Sequence, residues 1–445
     1  HRPTGDVLRV SAYSSGHMFH ARCRRTRSRR LAYIGGRGTF ANQLAASAPR
    51  HSKGSAVRPF ALERYFAKHE FTAPYLLSPS DSEARTLVDI LSRADPECRA
   101  LWDSLALGYT ESRGLPALRD AIALFLSESS GVEAGTVTAD DILVFSCAEE
   151  AIYTVARVVV QAGDRVACTW PAYQSLYQVA SECGASIHPI PARVTGDAWD
   201  LTVADIDAAI QRGTRLVIAN VPHNPTGMVP SPASWQRLCD RTRDAGAILF
   251  ADEVYRPLAG ANGTLPASPA TSRDGLSISL GSVSKAFGLA GVRIGWVASK
   301  NHALLNSLEQ YKDYTTICAS APAEVLALIA LRNWRAIVEQ QQQIIAQNAL
   351  MFAQFAQDFS HLIDPAPIGA GSTCFPAWAG PCTAYDMAER AVESCGVMVL
   401  PGDVFDPAGI GEGSRDLSQR FRVGLGRRTF PEVIDRFGTH LASTY

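Results

Sequence analysis

The sequence predicts an α/β protein, with a mostly parallel sheet in a large domain and a smaller α+β domain after it. Three observations carry this. From Asp141 onward, short apolar runs alternate with helical segments. The runs are continuously apolar, as strands buried on both faces are. Small and polar residues cluster just after them, where open parallel sheets place their ligands. At 445 residues and 47% hydrophobic content, the chain can bury a large core in two domains.

Residues 1–57 stand apart. They carry ten arginines and one lysine against a single acid, Asp6, and are otherwise rich in Ser, Gly and Ala. Such a segment is expected to be disordered. Three origins fit it: a gene-start or expression artefact, a transit peptide, or a basic binding arm. Residues 58–80 form an N-terminal arm, with a short amphipathic helix around Phe60, Leu62, Tyr65 and Phe66 and a strand at Tyr75–Ser78. Residues 81–313 are expected to be the large domain. Pro116 opens a helix whose apolar face is Leu118, Ile122 and Phe125. The strands are Ile142–Phe145, Arg165–Cys168, Ser186–Ile190, Leu216–Ala219, Ala247–Phe250 and Leu276–Leu280. Between them lie helices from Cys147 to about Val160, Tyr173 to Cys183, Val203 to Gln211 and Trp235 to Asp244. Residues 314–445 form the small domain, with a long helical stretch through Gln340 to Phe359. Short strands follow at Thr373–Phe375, Val397–Leu400 and Arg422–Leu425.

The strand ends are chemically coherent. Ser146-Cys147-Ala148 opens a helix, whose free N–H groups suit an anion. Tyr173 offers a ring for stacking. Asn224-Pro225-Thr226-Gly227 follows the fourth strand, and Asp252-Glu253-Val254-Tyr255 the fifth. After the sixth comes Ser282-Val283-Ser284-Lys285, with Arg293 eight residues beyond the lysine. Desolvation disfavours an ammonium, so an amine placed there can act as a nucleophile toward a carbonyl. Singly, each piece has a plain reading: a turn, a helix cap, a packed tyrosine, a loop lysine. Their shared position is what those readings leave unexplained.

Several classes are disfavoured. Net charge is −1 and the pI about 6.9, so no global bias points to nucleic acid. No apolar run approaches a membrane span. Ten cysteines without a Cys-x-x-Cys pair suit reduced thiols in a cytoplasmic compartment, or a mitochondrial one if residues 1–57 are a transit peptide. No metal site is indicated. Ser-x-x-Lys also marks penicillin-binding sites, but Ser-Asp-Asn and Lys-Thr-Gly are missing.

Asn-Pro-Thr-Gly, Asp-x-x-Tyr and Ser-x-x-Lys with its downstream arginine, in that order, make the chain resemble the class I/II aminotransferases. These are fold type I enzymes dependent on pyridoxal 5'-phosphate (PLP), related to aspartate aminotransferase. The resemblance runs from about Pro59 to the C-terminus and implies a seven-stranded sheet in the large domain. It implies that Lys285 is the Schiff-base lysine. Asp252 pairs with the pyridine nitrogen, Asn224 and Tyr255 with the ring oxygen, and Tyr173 stacks on the ring. The Cys147 and Ala148 amides, Ser282 and Arg293 hold the phosphate. Tyr109 matches a tyrosine that reaches the neighbouring subunit's phosphate, implying a homodimer. Arg422 clamps the substrate α-carboxylate, with Arg420 as the fallback. Cys147 stands where the family often has glycine. His223 either faces the substrate or packs in its loop, and packing is favoured. The segment Arg256–Ala270 offers no clear second arginine for a dicarboxylate.

The implied activity is transfer of an amino group between an L-amino acid and a 2-oxo acid. A lyase or cyclase of the same fold (C–S lyase, ACC synthase-like or capreomycidine synthase-like) shares these motifs. A regulator with a DNA-binding arm is the third reading, weakened because the basic segment lacks helical periodicity. The expected partners are thus the two substrates and a second copy of the chain, with no nucleic acid or membrane.

Overall fold

A computed structural model describes residues 58–258, 268–269, 275–411 and 414–445. The disorder expected for residues 1–57 therefore concerns residues outside those described.

Strand β1 is Tyr75–Leu76. The main sheet contains β2 Ile142–Phe145, β3 Arg165–Trp170, β4 Ser186–Thr195, β5 Ala198–Leu201, β6 Thr214–Asn220, β7 Ile248–Asp252, β8 Ser277–Ser282 and β9 Gly295–Ala298. Their order is β2-β9-β8-β7-β6-β3-β4-β5. β8, β7, β6, β3 and β4 are mutually parallel, while β9 runs antiparallel to both β2 and β8. The sheet therefore holds the seven expected strands and an eighth. β4 continues past the end of β3, and its free edge there pairs antiparallel with β5 from Ala192↔Leu201 to Thr195↔Ala198.

Continuous apolarity in the strands reflects cover on both faces. In β6, Leu216 and Ile218 enter one core, and Val217 and Ala219 enter another. The first core holds residues of the helices Pro116–Ser129, Ala148–Val159, His302–Lys312 and Ala321–Arg332. The second holds residues of Val203–Ala209 and Pro232–Asp244. Alternation along a strand sends successive side chains to opposite faces, so both sets must be apolar.

A third core gathers Leu77 with the C-terminal part, where the 25-residue helix Trp334–Asp358 packs near Phe430–Thr444. The arm serves both parts. β1 pairs in parallel with Val397–Met398, and Gly424 N–H donates to Leu77 O. The helix Ala61–His69 is tied down by Ala61 N–H to Gln174 Oε1 at 2.8 Å and by Tyr65 Oη–H to Val399 O at 2.9 Å.

Boundaries shifted in informative places. β7 extends through Asp252, two residues beyond the expected strand, because Asp252 keeps register with both Asn220 and Leu280. The expected strand Val397–Leu400 is two short ones, Val397–Met398 and Leu400–Pro401, pairing with different partners.

Candidate active site

The carboxyl ends of β2, β6, β7 and β8 open onto a cavity of about 450 Å³. Ala148, Tyr173, Asn224, Asp252, Tyr255, Ser282, Lys285 and Arg293 all line it. Residues separated by more than a hundred positions thus converge, as the strand-end argument requires.

Asp252 ends β7 and is only 5% exposed. Its Oδ1 accepts from Val254 N–H at 3.2 Å, and no cation among the described residues pairs with it. Burial pushes its carboxyl up to about 7. Lys285 Nζ donates to Ser80 Oγ at 3.1 Å. Arg422, on the strand Phe421–Gly424, is 1% exposed. It donates to Ser78 O at 3.0 Å and Asn224 Oδ1 at 3.1 Å, with no ion-pair partner among the described residues. Burial pulls its pKa down. Arg422 is not part of the cavity wall and is tied to it through its hydrogen bond to Asn224. Two buried groups of opposite sign, each without a counter-charge, mark a site built for a zwitterionic or polyionic ligand.

Asn224 is itself held, its N–H donating to Asn220 Oδ1 at 2.6 Å. Asn220 Nδ2 reaches Asp252 O at 3.0 Å, locking the two strand ends together. Gly227 closes the turn at φ 73°, where a Cβ would lie 2.9 Å from Ala370 O. His223 is buried with Nδ1 2.8 Å from Thr226 Oγ1, and desolvation lowers its pKa to about 4. It packs in the loop, as expected.

The anion corner is made by backbone. The helix Ala148–Val159 starts at the rim, and the Cys147 and Ala148 N–H groups have no intrahelical acceptor by position. Ser146 N–H is already used, donating to Glu150 Oε2 at 2.8 Å. Cys147 sits at φ 121°, a conformation suited to glycine. The loop presses on Gly295, where a Cβ would lie 2.6 Å from Ala148 N. Ser282 Oγ accepts from Ser284 N–H at 2.8 Å, and Arg293 reaches the rim from an exposed position at φ 56°. One anionic and one aromatic cofactor end therefore fit: free amides, a hydroxyl and a guanidinium at one place, an unpaired carboxylate at another.

Cys147 and Arg422 are not on the lining, and neither are Tyr109, expected to serve a second copy's site, and the fallback Arg420. Tyr109 is 89% exposed and does not reach this cavity. Arg420 is engaged by Asp416 at 2.9 Å and Phe375 O at 3.1 Å. The structure adds Phe60, Glu63, Ser80, Glu149, Asn220 and Ser284 to the lining. Glu149 and Asn220 were readable from the strand-end rule. Glu63, Phe60 and Ser80 come from the arm, and nothing local in sequence sends them there. No group of three or more His, Cys, Asp or Glu side chains among the described residues can hold a metal. No described helix is long and apolar enough to cross a membrane.

The comparisons agree with this geometry. Residues 80–434 match the sequence model of aminotransferase class I and II. Capreomycidine synthase of Streptomyces vinaceus is 32% identical over 65% of this chain and 73% of its own length. Arginine–pyruvate transaminase of Pseudomonas aeruginosa is 28% identical over 76% of this chain and 83% of its own. A PLP-dependent aminotransferase from Streptococcus suis superposes with a TM-score of 0.77 at 25% identity, covering 88% of this chain and 99% of that one. The match over most of the chain, with this fold and this cavity, means that the chain belongs to the class I and II aminotransferase family of pyridoxal phosphate-dependent enzymes.

Proposed function

We propose that the protein is an aminotransferase that moves an amino group between an L-amino acid and a 2-oxo acid. The observation that supports this most is the pair of buried, unpaired charges, Asp252 and Arg422, around the cavity that Lys285 lines. An amino acid supplies the carboxylate that Arg422 lacks, and a ring-protonated pyridine supplies the cation that Asp252 lacks.

Bound PLP supplies an electron sink for a bond broken at the substrate α-carbon. Lys285 Nζ would hold the cofactor through its carbonyl carbon and would move the proton at the substrate α-carbon. Ser80 Oγ, 3.1 Å away, orients that amine. Asp252 would keep the ring nitrogen protonated. Asn224 and Tyr255 would serve the ring oxygen, and Tyr173 would cover the ring. The Cys147 and Ala148 amides, Ser282 and Arg293 would hold the phosphate, joined by Tyr109 from a second copy of the chain. Arg422 would grip the substrate α-carboxylate and so orient the α-carbon.

The test is a single-turnover reaction without acceptor. PLP-loaded enzyme given an amino acid should release about one equivalent of 2-oxo acid per site, and Lys285→Ala should release none. A second reading, cyclisation, is favoured by the similarity to capreomycidine synthase. A cyclic product with catalytic turnover and no 2-oxo acid would establish it instead.

A further inference from the structure

Charge in the cavity does not balance once the cofactor and the α-carboxylate are placed. Among the described residues its lining cations are Lys285 and Arg293, and both have proposed roles. Its lining carboxylates are Asp252, Glu63 and Glu149. Asp252 faces the ring nitrogen, which leaves Glu63 and Glu149 without a cation. They reach the cavity from opposite parts of the fold. Glu149 lies in the first turn of the helix Ala148–Val159, and Glu63 on the arm helix Ala61–His69. Tyr173 links the two walls, its Oη–H donating to Glu63 Oε1 at 3.3 Å. Its ring meets Phe60 at 5.0 Å. Beside Glu149 the Ser175 hydroxyl is buried, and its interaction with the carboxylate works against the upward shift. Arg422, fully buried and without a carboxylate, independently marks the place of a bound amino acid.

Two carboxylates facing one cavity repel each other, and burial together with the charge of Glu63 pushes Glu149 up. A cation between them removes both penalties, and an acidic side chain adds to them.

We infer that Glu63 and Glu149 form the side-chain subsite of this enzyme and select an amino acid whose far end carries a cation, a guanidinium or an amine. The inference rests on the proposed binding of an α-amino acid through Arg422, and it adds the substrate class.

The experiment uses PLP-loaded enzyme and three amino acids that differ in charge at the side-chain end: L-arginine, L-norleucine and L-glutamate. Binding is read by calorimetry, and 2-oxo acid release by single turnover. The wild type should bind arginine at least tenfold more tightly than norleucine, and glutamate worst. L-lysine in place of arginine tells a guanidinium from an amine, and preference for either supports the subsite. Glu149→Gln and, separately, Glu63→Gln should each cut the arginine-to-norleucine ratio at least tenfold, and the second variant guards against misfolding of the first. A ratio near one in the wild type, or ratios unmoved in both variants, overturns the inference. Preference for arginine that Glu149→Gln abolishes, without 2-oxo acid release, supports the subsite while refuting the transamination reading. Release of 2-oxo acid with no charge preference does the reverse.

Discussion

Burial without a counter-ion costs a carboxylate several kcal/mol, and Asp252 carries that cost in the chain alone. Unfolded, an aspartate titrates near 3.9 (about the value in short peptides). In the fold Asp252 reaches about 7. An acid raised in this way supports the fold below its unfolded value and withdraws that support as pH climbs through the folded one. Cofactor-free protein should therefore lose stability on this account between about pH 4 and pH 7. Asp252→Asn removes the effect. At pH 8 the stripped variant should be more stable than the stripped parent by up to about 4 kcal/mol, at roughly 1.4 kcal/mol per unit. At pH 4 the difference should vanish, and paired thermal melts at the two pH values check this. With cofactor bound the same change should be harmful. Loss of substrate α-deuterium to solvent, followed by NMR, should slow at least a thousandfold, about 4 kcal/mol of barrier. Slowing of less than about threefold would reduce Asp252 to a strand terminus.

At the scale of elements, the anion corner is a strand, a turn and a helix, and the turn is strained. Cys147 at φ 121° and ψ 165° occupies a region that glycine enters freely and other residues enter at about 1–3 kcal/mol. The strain persists because β2 and β9 clamp the turn from below, with Phe145 opposite Gly295. On the proposed reading, the corner uses only the backbone of Cys147. Cys147→Gly should then raise the melting temperature, by the equivalent of roughly 1 kcal/mol after the flexibility that glycine adds to the unfolded chain. Cofactor affinity should hold or improve, since the amides stay in place. A fall in both would mean that the thiol itself contributes.

At the scale of the molecule, the exposed apolar side chains Leu107, Tyr109, Tyr314 and Ile317 come from segments close in space. Ser112 Oγ–H donates to Ile317 O at 3.0 Å, and Thr110 Oγ1–H to Ala319 O at 3.4 Å. Exposed apolar side chains gathered in this way suit contact with a second copy. We expect a homodimer in sedimentation, with each cavity completed by Tyr109 across the interface. Lys285→Ala is expected to be inactive and Tyr109→Phe to bind PLP more weakly. Mixed and reassociated, they should form hybrids in which one cavity has both native residues. Activity near half that of the parent per hybrid is expected, and a monomer or uncomplemented mixtures would exclude a shared site.

The sequence alone determined the order of strands and helices from Asp141 to Leu280, β5 excepted, because continuous apolarity and helical periodicity are local signals. It also brought Asn224, Asp252, Tyr255, Ser282, Lys285 and Arg293 to one place, because a parallel sheet gathers its strand ends on one edge. β5 and β9 were not singled out as strands: β5 is the short return of a hairpin with β4, and β9 takes its place from β2, distant in sequence. Only the tertiary structure decided that Asp252 belongs to β7, that Arg422 is buried and held by Asn224, and that the arm brings Glu63 and Ser80 to the cavity. Those facts depend on register and on packing between segments up to 344 residues apart, as Ser78 and Arg422 are. A strand-end motif announces its own chemistry, whereas a wall residue from the arm acquires a role only when the chain folds back to place it there.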